Sequence, residues 1–153
     1  MFRRIALIAT VAVGSVVAVA QAQEQTDPNV VARQSLMRLN AYNIGVLGSM
    51  AQGRMEYDAA RASAAATSLY HLSLVDQSRM WPPGSDTSSI ENTRALPALW
   101  DNMDDVMMRG MALRTAAEDM MNAAGTDLAS LQGAIGALGA SCGGCHRAYR
   151  QPD

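Results

Sequence analysis

The only two cysteines of the chain lie three residues apart and are followed directly by a histidine, in Cys142-Gly143-Gly144-Cys145-His146. Cysteines at i and i+3 share one face of a helix. Both thiols can therefore add to the two vinyl groups of one haem and form thioethers. The adjacent imidazole then reaches the iron as its proximal ligand. The segment predicts one covalent haem c, attached at Cys142 and Cys145 and ligated by His146.

Three other chemistries compete for the same cysteines. A redox dithiol is typical of a strand–helix junction in a βαβ unit, and the sequence predicts no such unit. A zinc site needs a second pair of ligands, and His71 is the only other histidine. A Cys142–Cys145 disulfide would close a very small loop, and at helical spacing the side chains would have to be distorted to form it. Haem attachment is the interpretation that uses every residue of the segment.

The opposite side of the iron decides what such a haem does, since a sixth ligand favours electron transfer and an open position binds NO or CO. Met37 lies nine residues into the first predicted helix, a depth similar to that of His146 in the last. The chain has 11 methionines, however. Met103, Met107 and Met111 recur every four residues and predict a core stripe. Position alone leaves Met37 open between iron ligand and core residue.

Four helical stretches with apolar residues at three- and four-residue intervals follow Asp27. Asp27 can cap the first stretch, and Pro28 is tolerated at the first helical position. Gly53, the 81–89 segment and Gly125 separate the stretches. The predicted helices run from Pro28 toward Gly53, from Tyr57 to Met80, from Thr93 to Ala124, and from Thr126 or Asp127 past Tyr149.

The predicted fold is all-α, an antiparallel up-down-up-down four-helix bundle that encloses one covalently bound haem, because the connections near Gly53 and Gly125 are short. A domain of this size has a marginal core, which a buried porphyrin would fill. The 153 residues are 49% hydrophobic with a net charge of −2. That balance argues against a nucleic-acid partner.

Residues 1–22 have the pattern of a secretory signal peptide. Arg3 and Arg4 precede the apolar stretch 5–20, and small residues end at Ala22. The expected mature domain is 23–153, mildly acidic, periplasmic and free of the membrane once the signal is removed. An uncleaved anchor helix is the alternative, because the stretch approaches the length that spans a bilayer.

Several segments together resemble the cytochrome c′ superfamily across nearly the whole mature chain. The Gln34-x-Leu36-Met37 sequence is most similar to the low-spin cytochrome c-556 branch. The segments that carry the resemblance are 33–38, 43–53, Tyr57-Asp58-Ala59-Ala60, Pro83-Gly84-Ser85-Asp86, Pro97-Ala98-Leu99-Trp100 and the terminal Cys-Gly-Gly-Cys-His-x-x-Tyr-Arg.

The resemblance implies a function as well as a fold. The cytochrome c-556 branch places methionine over the iron, which assigns the distal ligand to Met37. The expected protein is a periplasmic mono-haem carrier of single electrons that meets redox-partner proteins transiently and is not an enzyme. The alternative is a high-spin cytochrome c′ that binds NO or CO at an open position. Homodimerisation through the first two helices is a further expectation.

Charged and polar residues near both iron ligands are candidates for the haem propionates. Arg33 lies one turn before Met37, and Arg150 lies one turn after His146. A guanidinium matches a carboxylate with two hydrogen bonds. Gln34 is the neighbouring hydrogen-bond candidate. The predicted cofactor-binding residues are Cys142, Cys145, Arg33 and Gln34, and the predicted iron ligands are His146 and Met37.

Overall fold

The computed structural model describes residues 27–152. The predicted signal peptide lies outside the described residues. The helices are α1 (Pro28–Ala51), α2 (Ala59–Ser73), α3 (Ala98–Asp101), α4 (Met103–Ala123) and α5 (Leu128–Tyr149), with a 3-10 turn at Ser78–Met80. The four long helices form a ring in which α1 packs on α2, α2 on α4, α4 on α5 and α5 on α1. The predicted all-α four-helix bundle is confirmed.

Aspartates begin three of the long helices. The side chain of Asp27 accepts a hydrogen bond from the Asn29 backbone N–H at 2.7 Å. Asp58 and Asp127 do the same for α2 and α5. These bonds satisfy backbone donors that have no partner within the helix. Gly53 has a positive φ of 69° just beyond the end of α1, a conformation that glycine adopts without strain.

An apolar cluster fills the end of the bundle away from the cysteines. Leu47, Met50, Met120 and Leu131 are fully buried there. The Gln132 side chain donates a hydrogen bond to the Ala51 carbonyl at 2.8 Å. This bond joins the end of α1 to the beginning of α5. We call this region the packed end, defined by Leu47, Met50, Ala62, Ala66, Ala117, Met120, Ala124 and Leu131.

The predicted second helix was too long. It ends at Ser73 rather than Met80. The Asp76 carboxylate accepts a hydrogen bond from the Ser78 backbone N–H at 2.9 Å. This local turn competes with the helix, as aspartate side chains commonly do. The 3-10 turn follows in place of a last α-helical turn.

The predicted third helix was also wrong at its beginning, because helix does not start at Thr93. Ala95 instead forms an isolated antiparallel bridge with Arg150, and the Leu96 N–H donates to the Tyr149 carbonyl at 2.9 Å. Pro97 disfavours helical geometry for the residue before it. The remaining stretch divides into α3 and α4 at Asn102, whose ψ of 41° is not helical. We call residues 74–97 the connector.

The predicted methionine core stripe on this helix was wrong for two of its three members. Met107 and Met111 are 55% and 61% exposed, and Met103 is half-buried. The inner face of α4 instead passes through Leu113 and Met120. Positions four apart rotate gradually around a helix, so an i, i+4, i+8 series does not by itself identify the buried face. Among the described residues, no helix is long and apolar enough to cross a membrane.

Candidate functional site

Helix α5 presents both cysteines, one turn apart, close to its C-terminal end. Cys142 and Cys145 are half-buried and carry free thiols. Burial raises the pKa of both thiols. Two unpaired thiols in one helix match the geometry that the sequence predicted for haem attachment.

His146 follows in the same helix, with part of its side chain open to solvent and part against the bundle. Partial burial lowers the pKa of the imidazole, and the Arg150 cation lowers it further. Both effects favour neutral imidazole. Neutral imidazole is the form that binds a metal.

Met37 stands level with His146 across the α1–α5 pair. The Gln132–Ala51 hydrogen bond fixes the register of these helices. Met37 lies fourteen residues before Ala51, and His146 lies fourteen residues after Gln132. Each is therefore about 21 Å along its helix from that bond. Met37 is 37% exposed, so its thioether is not enclosed by the protein core.

Arg33, predicted near a propionate, ties α1 to the connector. Its side chain is only 3% exposed. One terminal nitrogen donates to Ser85 Oγ at 2.7 Å and to the Met80 carbonyl at 3.2 Å. The other donates to Thr93 Oγ1 at 2.6 Å and to the Ser85 carbonyl. Four hydrogen bonds thus fix the guanidinium at the end of the bundle that carries the cysteines.

Two tryptophans complete the surroundings of Arg33. Its guanidinium carbon lies 4.8 Å from the centre of the Trp81 ring and 5.9 Å from that of Trp100. Burial lowers the pKa of Arg33, and the carboxylates of Asp27 and Asp86 oppose that effect. Arginine remains charged under such conditions. This end of the bundle therefore contains a buried positive charge.

The other two candidates for the propionates, Gln34 and Arg150, also contact the connector. Gln34 donates to the Asn92 carbonyl at 2.7 Å, so it too binds the connector. Arg150 pairs with Ala95 at the end of α5. His71 is exposed in the last turn of α2, beside Tyr70. The structure thus brings Arg33, Gln34 and Arg150 to the connector.

Sequence reasoning missed a cluster formed by Asp105, Arg109 and Tyr149. Asp105 Oδ2 accepts hydrogen bonds from Arg109 Nε at 2.6 Å and from the Tyr149 hydroxyl at 2.5 Å. These bonds lower the pKa of Asp105, and the same carboxylate raises the pKa of Tyr149. The i, i+4 spacing of Asp105 and Arg109 was a readable signal. The contact of Asp105 with Tyr149 joins α4 to α5, and no local spacing in the sequence predicts it.

A family model described as "Cytochrome C'" matches residues 28–150. The chain belongs to the cytochrome c′ family. This cytochrome is 43% identical over 148 residues to cytochrome c-554 of Cereibacter sphaeroides, with 97% of each chain covered. It is 33% identical over 120 residues to a cytochrome c-556 of Agrobacterium tumefaciens, covering 77% of this chain and 93% of the other. A solved cytochrome c′ from "Rhodobacter Spheriodes" superposes with a TM-score of 0.81 at 35% identity, covering 84% of this chain and all of the other.

The cofactor of this cytochrome is one covalent haem c per chain. The residues present fit it. Two free, half-buried thiols lie one turn apart, and partial burial and the Arg150 cation lower the pKa of the neighbouring imidazole. Gly143 and Gly144 add no side chain between the thiols.

Proposed function

We propose that this cytochrome is an exported one-electron carrier whose iron is bound by His146 and Met37. The register of α1 and α5 carries the proposal, because it sets both residues at the same level of an antiparallel pair. Haem c supplies a ferric–ferrous couple when bound. A thioether ligand stabilises the ferrous state relative to a second nitrogen ligand.

Each residue of the site has a separate role in this proposal. Cys142 and Cys145 anchor the cofactor to α5, and His146 offers the neighbouring imidazole. Met37 supplies a neutral, polarizable sulfur from the facing helix. Because α1 and α5 pack against each other and are joined at the packed end, they carry Met37 and His146 on neighbouring helices.

Arg33 and Gln34 remain our candidates for the propionates. The terminal nitrogens of Arg33 bind Ser85 and Thr93. A propionate contact would therefore use Nε or exchange one of these partners. In either arrangement, the buried cation favours the carboxylate in its charged form.

We place the protein in the periplasm, with residues 1–22 as a cleaved signal and 23–153 as the mature domain. The partners would be redox proteins that bind briefly through small interfaces. The acidic balance of the chain favours partners with basic surfaces. We propose no enzymatic reaction.

The outer face of α1 supports the expected homodimer. Val31, Leu39 and Tyr42 lie on one side of this helix, and Tyr42 is 71% exposed. Apolar residues at this helical spacing form a stripe that a second copy of α1 can cover. Tyr42→Arg is expected to convert a dimer to a monomer in sedimentation experiments. An unchanged sedimentation coefficient would argue against this surface.

The exposure of Met37 also favours a second candidate function. A thioether that is not enclosed can leave the iron or stay away from it, which would open a position for NO or CO. The two functions differ in the spin state of the iron and in its response to CO.

Visible spectra of the ferric and ferrous protein, with and without CO, test the proposal. Wild type is expected to show sharp low-spin bands that do not respond to CO. Met37→Leu preserves side-chain size but removes the sulfur, so it should become high-spin and bind CO. Met107→Leu is the matched control, from an exposed position on α4, and should resemble wild type. A wild type that is high-spin and binds CO would establish the gas-binding alternative.

A further inference from the structure

The Asp105–Arg109–Tyr149 cluster touches the segment between the two cysteines. A terminal nitrogen of Arg109 lies 3.3 Å from the position that a Cβ on Gly144 would occupy. Glycine therefore permits an approach that a larger residue would obstruct. The guanidinium reaches from α4 to the turn of α5 that carries the attachment site.

The cluster also fixes the orientation of the guanidinium. Asp105 binds Arg109 through Nε, so the terminal nitrogens extend beyond the carboxylate. The Tyr149 hydroxyl binds the same carboxylate oxygen from α5. Tyr149 is buried and lies three residues after His146. Its ring is 5.7 Å from the Arg109 guanidinium carbon. Both helices thus hold one cation in place.

We propose that Arg109 raises the reduction potential of the bound haem, by holding a fixed positive charge against the Cys142–Cys145 turn. The inference rests on the proposed electron-carrier function. Reduction adds an electron to the site, and a nearby cation stabilises that added negative charge. Asp105 and Tyr149 direct the cation, and the Asp105 carboxylate partly opposes its effect.

A second arginine near the same turn, Arg147, can be compared with Arg109. Arg147 also approaches the turn, 3.0 Å from the position of a Cβ on Gly143. It is exposed, so solvent and salt screen its charge. The Arg109 and Asp105 side chains are each 35% exposed and are paired across 2.6 Å. Arg109 is therefore the more strongly held of the two cations.

Midpoint potentials of the haem-loaded protein and its variants test the proposal. Arg109→Gln is expected to lower the equilibrium constant for reduction about tenfold, or 59 mV for one electron. Arg109→Lys keeps the charge and should stay within about threefold of wild type. Asp105→Asn still offers an oxygen to Arg109 but removes the opposing anion, so it should shift the potential upward. Arg114→Gln, an exposed charge on the same helix, is the control.

A packing role would give a different pattern. Arg109→Lys would then move the potential as far as Arg109→Gln, or Asp105→Asn would shift it downward; either result overturns the inference. Equal potentials for Arg109→Gln and Arg114→Gln would do the same. Thermal unfolding followed by circular dichroism and the low-spin bands provide two readouts independent of the potential. A wild type that is high-spin or lacks covalent haem defeats the proposed function instead, which keeps the two failures distinct.

Discussion

The two ends of the bundle differ in the kinds of residue that they bury. At the packed end, fully buried alanines, leucines and methionines bring all four long helices into contact. At the cysteine end, the buried groups include Arg33, Ser85 and Thr93, while Met37 is exposed and the thiols are half-buried. Apolar packing therefore stabilises and aligns the helices at one end. At the other end, the polar contacts of Arg33 with the connector accompany half-buried thiols and an exposed Met37.

The largest effect should come from removing the attachment residues. Cys142→Ala combined with Cys145→Ala leaves no thiol to form a thioether, so covalent haem should be lost completely. Mass spectrometry of the exported protein measures the loss, with Ser141→Ala as control. Circular dichroism should still show the helices of the packed end. Loss of all helical signal would show that the helices of the packed end depend on the attachment residues at the other end.

Truncation in the packed end should lower stability without altering the site. Met120 is completely buried, and Met120→Ala should cost about 3 kcal/mol of unfolding free energy through lost burial and a cavity. Met107→Ala, at an exposed position, should change it by less than about 0.5 kcal/mol. Urea titration measures both. The visible bands of the Met120 variant should match wild type, and a shifted spin state would contradict the separation of the two ends.

Removing the buried cation should destabilise the cysteine end specifically. Arg33→Gln leaves the hydroxyls and carbonyls of the connector short of donors, at an expected cost of about 2 kcal/mol. The connector should become more accessible to protease, whereas the packed end should remain protected. Arg54→Gln, in the exposed loop after α1, is the matched control. Equal protection of the connector in both variants would count against this role.

A small acid-sensitive contribution is expected at the packed end. Hydrogen bonds from Ser130 lower the pKa of Asp127 in the folded protein. The resulting stability is present above the unfolded-state pKa of about 3.9 and is lost as the pH falls through the lower folded value. Asp127→Asn retains the cap but cannot titrate. Below about pH 4, its Tm should fall less than that of wild type, with Glu118→Gln as an equal-charge control.

The long helices and the covalent haem c were predicted from the sequence better than the segments between the helices. Some signals depend only on residues that are close in the sequence, so their effects can be predicted from the sequence alone. These signals are the C-x-x-C-H motif, Asp27, Pro28 and Gly53. The connector takes its shape from distant contacts, such as Arg33 with Ser85. Pro97 was the one local signal against a helix starting at Thr93. The methionine spacing could not identify the inner face of α4, because that face depends on the neighbouring helices.

The pairing of α1 with α5 has a consequence for folding. These helices come from opposite ends of the domain, whereas a four-residue connection, 124–127, joins α4 to α5. Closing a short loop costs less chain entropy than joining distant segments. The α4–α5 hairpin, which contains every attachment residue, should therefore form before α1 docks. Refolding of the haem-loaded protein should therefore pass through an early species in which the α4–α5 hairpin carries the covalent haem. The Met37 side of the site should form only when α1 docks and the whole bundle is complete.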